Sequence, residues 1–69
     1  MALDKKKLTT PMEILAAALQ KEKNSYAFYN DLLQEATVEF VVHLLTELRD
    51  SEYNHLKKIE GIITHLQQS

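Results

Sequence analysis

The stretch Leu48-Arg49-Asp50-Ser51-Glu52-Tyr53-Asn54-His55-Leu56-Lys57-Lys58-Ile59 decides how this chain is read. It lies within a stripe that runs Val41, Leu45, Leu48, Glu52, His55, Ile59, Ile62 and Leu66, in alternating steps of four and three residues. Such steps keep side chains on one face of an α-helix. Two members of the stripe are not apolar. A carboxylate and an imidazole stand in its middle, where burial penalises either group left without a partner. Three residues apart, they project from the same side about one turn from each other. Glu-x-x-His on an inward face is an arrangement able to bind a metal ion.

Upstream, Thr10-Pro11-Met12-Glu13 is a helix start. Thr10 can cap, Pro11 fits the first helical position, where its missing N–H costs nothing, and Glu13 completes a capping box. The helical pattern continues to about Gln34. Its inward stripe is Leu15, Ala18, Leu19, Glu22, Ser25, Tyr26, Tyr29, Leu32, Leu33 and Ala36. Residues 15, 22, 29 and 36 share one heptad position, so Glu22 also falls in mid-stripe. Lys21 and Lys23 flank it and are expected to point outward. The break comes at Glu35–Glu39, with Thr37 as the expected N-cap of a second helix and Glu39 near its positive end. That helix is expected from Val38 to Leu66. Gly61 either weakens it slightly or lets a neighbour approach closely.

If the helices fold back on each other about Thr37, Glu22 lies fifteen residues before the turn and Glu52 fifteen after it. Both carboxylates then stand roughly 22 Å from the turn, at one height. His55 falls about one turn further along. A single hairpin offers Glu22, Glu52 and His55 to one location, too few donors to fill an iron or manganese shell. Two hairpins related by a two-fold axis offer four Glu and two His. Carboxylate-bridged dinuclear sites in four-helix bundles use that set: a Glu from each of two helices and Glu-x-x-His from each of the others. Two copies of Glu22 and Glu52 carry a charge that two divalent ions neutralise. Without metal, the four desolvated carboxylates repel one another and favour proton uptake.

Bulk properties agree with an all-α hairpin that needs a partner chain. Sixty-nine residues make one domain at most, close to the size at which a chain struggles to bury enough surface. The composition is 45% hydrophobic and 26% charged, with one Gly and one Pro, which favours long helices over disorder. A net charge of −2 offers no general attraction to nucleic acid. The absence of cysteine excludes disulfides, thiolate metal sites and a rubredoxin-type iron centre within this sequence. Lys5-Lys6-Lys7 followed by Ile14–Leu19 is too short and too quickly polar for an export signal or membrane span, so a cytoplasmic location is expected. Residues 1–9 are expected to form a flexible tail, and residues 10–69 the helical-hairpin domain.

Glu22-x-x-Ser25-x-x-x-Tyr29 followed by Glu52-x-x-His55 resembles the half-bundle pattern of the ferritin-like superfamily. The likeness is to rubrerythrin-type domains and to the short two-helix ferritins stored inside encapsulin shells, and it spans roughly Met12 to Ile63. The thirty-residue separation of the glutamates and the Tyr seven residues after the first carry it. The resemblance implies an antiparallel two-helix hairpin that dimerises into a ferritin-like four-helix bundle. Two iron ions per dimer are implied, with manganese or a mixed-metal pair compatible, and Fe(II) oxidised by dioxygen or peroxide. Glu22 and Glu52 would be bridging and terminal ligands and His55 a terminal ligand, with Tyr29 beside them. Ser25 departs from the usual small apolar residue without affecting ligation. The sequence shows no appended peptide after Gln67-Gln68-Ser69, so shell loading and the ring-shaped decamer are not expected, although larger even-numbered assemblies of dimers are compatible.

Other residues have ordinary explanations. Tyr26, Phe28 and Tyr53 suit packing or an interface. His43 and Glu47 form an i,i+4 pair expected to be solvated, and His65 complements the C-terminal end of its helix. Asp31 and Asp50 are expected on outer faces. The competing functional reading is a metal-free hairpin that serves as a dimerisation or interaction module.

Overall fold

The computed structural model describes residues 10–68; the expected tail at 1–9 lies outside them. The fold is all-α, with α1 at Pro11–Glu35 and α2 at Glu39–Gln68 packed against each other. The start of α1 follows from local chemistry. The Glu13 amide donates to Thr10 Oγ1 at 3.1 Å, and the Thr10 amide donates to Glu13 Oε1 at 3.0 Å. This reciprocal box satisfies amides that the first helical turn leaves without partners. The turn differs by one residue from expectation. The Val38 carbonyl accepts from the amides of Val41 and Val42, both at 3.0 Å, so Val38 stands immediately outside α2 and Thr37 falls one position short of the cap.

Three cross-helix contacts define an antiparallel hairpin. Asn30 meets Arg49, Tyr26 meets Tyr53 and Glu22 meets His55, with partners moving apart in sequence as distance from the turn grows. The Tyr26 and Tyr53 rings lie 5.8 Å apart between centroids. Arg49 Nη1 donates to Asn30 Oδ1 at 3.2 Å, a half-buried polar clamp that the apolar stripe alone did not reveal.

The inner face of α2 is rotated from the expected stripe. Val42, Leu45, Arg49, Glu52, Leu56, Ile59 and Ile63 are half-buried, whereas Leu48, His55, Ile62 and Leu66 are exposed. Leu32 of α1 is likewise exposed. The physical reason is that one neighbour covers only part of a broad apolar arc. At about 100° per residue, Ile14, Phe28 and Leu32 share one flank of α1, and Leu44, Leu48, Ile62 and Leu66 share one flank of α2. In an antiparallel pair these flanks face the same way.

No apolar side chain among the described residues is fully buried. Fully burying one Leu or Ile is worth roughly 1.5–3 kcal/mol, and the hairpin leaves part of that unrealised at Leu48, Leu66 and Ile62, which are 37%, 40% and 44% exposed. No helix is long and apolar enough to cross a membrane among the described residues.

Candidate metal centre

Glu22 lies near the middle of α1 and is the one buried residue among those described, at 8% exposure. Its burial needs an explanation, because an ionised carboxylate removed from water requires compensating partners. The partners come from α2. His55 Nδ1 lies 3.2 Å from Glu22 Oε1 and 3.3 Å from Glu52 Oε1. With a carboxylate oxygen on either side, the Nδ1–H tautomer of the ring can donate toward both. Glu52 and His55 present these atoms together because three residues of α2 bring them to the same side.

Donor atoms of Glu22, Glu52 and His55 all lie within 4.8 Å of one another. The three candidate ligands converge, and the residue of α2 that stands across from Glu22 is His55, one turn beyond the Glu52 expected there from counting to the turn. Their exposure is graded: the side chains of Glu22, Glu52 and His55 are 11%, 18% and 58% exposed. The imidazole therefore sits at the margin of the helix contact rather than in its middle, on the flank shared with Leu48 and Ile62. The described residues enclose no cavity, so the cluster opens to the side rather than into a pocket.

The electrostatics centre on Glu22. Its carboxyl is held below the ordinary value of 4.5, first by hydrogen bonding with the Glu52 carboxyl. Burial opposes this shift; the hydrogen bond with His55 and the charge of Lys21 add to it. Lys21 corrects an expectation. Although its side chain is 73% exposed, it does not simply point outward: its ammonium lies 3.5 Å from Glu22 Oε2. The signal was present in the sequence, since a long flexible stem beside a buried carboxylate can reach back to it.

The remaining candidates stay outside the cluster. Tyr29 is half-buried on α1, about two turns beyond Glu22, and its ring packs edge-on against Phe28 with centroids 5.4 Å apart. His43, Glu47, Asp31 and Asp50 are exposed, with Asp50 paired to Arg49 at 3.2 Å. His65 occupies the last turn of α2, where a basic side chain complements the helix dipole.

Carboxylate oxygens and an imidazole nitrogen suit iron, manganese or zinc. A cation placed among these atoms would meet all three donors, with His55 binding through the Nδ1 lone pair and keeping its ring proton on Nε2. One chain supplies only three donors, so a complete coordination shell requires others. Comparison with protein-family models, curated proteins and solved structures found no match for this chain.

Proposed function

We propose that this chain is half of a dinuclear metal protein, with two hairpins pairing through their exposed apolar flanks to form a four-helix bundle. Each copy contributes Glu22, Glu52 and His55, so that four carboxylates and two imidazoles hold two divalent ions. The observation that carries this reading is the convergence of three donor atoms within 4.8 Å, beside an apolar face left uncovered by its own chain. The charges agree: four glutamates balance two divalent cations.

Iron best fits the proposed role, with Fe(II) as substrate and dioxygen or peroxide as oxidant. Bound iron would supply reversible one-electron chemistry that the side chains themselves lack. The glutamates provide hard anionic donors that favour retention of the more highly charged ion, and the imidazoles moderate that preference. The graded exposure from Glu22 to His55 gives small ions an open side. Manganese fits the same donors.

The test is to refold the protein anaerobically with Fe(II) and measure its metal content. About one iron per chain follows from two ions shared by two copies. Near-ultraviolet absorbance that develops only on adding oxygen would support oxidation. No iron uptake would sink the proposal.

The exposed apolar face also favours a second reading, a metal-free dimerisation or interaction module. Under that reading, Glu22→Ala, Glu52→Ala and His55→Ala leave metal content unchanged, and Fe(II) leaves the melting temperature of the parent protein unchanged. Preferential metal binding to the folded dimer instead raises it.

A further inference from the structure

We propose that Lys21 is a resident counter-cation of the cluster, holding Glu22 while no metal is present and withdrawing when a divalent ion binds. This deepens the metal-centre reading and rests on it. The two oxygens of Glu22 have different partners: Oε1 meets His55 at 3.2 Å, and Oε2 meets the Lys21 ammonium at 3.5 Å. Lys21 thus occupies the oxygen that the imidazole leaves available.

The Lys21 side chain is 73% exposed and that of Glu22 only 11%. A flexible cation standing mostly in water can leave at little cost, whereas the buried carboxylate cannot leave its site. Two hairpins would gather four glutamates, and two Lys21 ammonium groups would offset half of that charge. They permit the acidic groups to come together before metal arrives. A divalent ion brings more charge to the same oxygens, and repulsion then favours return of the ammonium to water.

Lys21→Met separates this role from ordinary packing, because methionine retains an unbranched stem and a similar helix propensity. The whole protein is titrated with Mn(II), following the free ion by electron paramagnetic resonance, and the metal-free form is melted in parallel. Lys21→Met should bind Mn(II) roughly two- to fivefold more tightly, the scale of an exposed ion pair removed as a competitor. Its metal-free form should melt at a lower temperature than the parent. Lys21→Arg, which keeps the cation, should resemble the parent in both measurements. Opposite effects on metal affinity and metal-free stability distinguish a competing cation from a residue that merely supports the fold.

If the parent binds Mn(II) and Lys21→Met binds it no more tightly, the counter-cation proposal is overturned while the metal centre stands. If Lys21→Met weakens both metal affinity and metal-free stability, Lys21 is structural and the proposal is again overturned. If neither parent nor variant binds Mn(II) or Fe(II), both the metal centre and the displacement of Lys21 fail.

Discussion

His55 Nδ1 lies 3.2 Å from Glu22 Oε1, although thirty-three residues separate them in the chain. The contact crosses from α2 to α1 and joins the buried carboxylate to a half-exposed edge of the hairpin. It connects the two properties on which the functional proposal depends: a convergent donor set and a face that remains uncovered. Four further measurements test particular parts of this arrangement.

The uncovered face should drive self-association. Leu48 is 37% exposed and Ile62 is 44% exposed, on the same flank of α2 as His55. Introducing a charge by Leu48→Lys or Ile62→Lys should shift the dimer toward monomer in sedimentation equilibrium. The parent's melting temperature should rise with protein concentration, as expected when association stabilises the folded form. A parent that remains monomeric at millimolar concentration would refute the dimer.

Acid should weaken the metal-free hairpin through Glu22. The folded protein holds this carboxyl below its ordinary value of 4.5, so the unfolded chain takes up the proton more readily. The associated stability is fully present above pH 4.5 and is lost as pH falls toward and through the folded value. Thermal melts between pH 7 and pH 3 should show that loss, with a shallower acid dependence for Glu22→Gln. Identical slopes would mean that Glu22 does not gain its charge-stabilising contacts in solution.

Gly61 offers a control on the helix itself. A Cβ placed there meets nothing within 4 Å in the chain, and its φ is not positive. Gly61→Ala should stabilise α2 by about 0.5–1 kcal/mol, since alanine loses less backbone freedom on becoming helical. Chemical denaturation provides the measurement. Destabilisation would instead indicate close approach of another chain at this position, the second possibility raised by the lone glycine.

Tyr29 separates ligation from support of the reaction. Its ring packs against Phe28, and it stands about two turns along α1 from Glu22. Tyr29→Phe should therefore leave iron stoichiometry unchanged, whereas Glu52→Ala should lower it. Metal analysis checks both, and stopped-flow absorbance after oxygen addition gives the oxidation rate. Loss of iron from Tyr29→Phe would place its hydroxyl among the ligands.

Both helix spans were legible because their causes are local. Thr10, Pro11 and Glu13 specify the beginning of α1, and the four-and-three spacing in α2 continues through Leu66. The one-residue error at Thr37 arose because a hydroxyl can cap a helix, yet the backbone turns so that the Val38 carbonyl begins α2. Arg49 and Lys21 were harder to place. Long cationic side chains can follow an apolar surface or fold back to a carboxylate, and sequence periodicity describes neither path.

The sequence by itself determined two amphipathic helices, a turn around residue 37, and the mid-helix positions of Glu22, Glu52 and His55, because helical rise and side-chain period depend on neighbouring residues alone. Only the tertiary structure decided which part of each apolar arc meets the other helix. It buries Glu22, brings His55 Nδ1 to two carboxylates, turns Lys21 back over Glu22, and leaves Leu48 and Ile62 uncovered. The reason is geometric: local periodicity sets the order of side chains around a helix, but packing against a distant segment sets the rotation of that helix about its own axis.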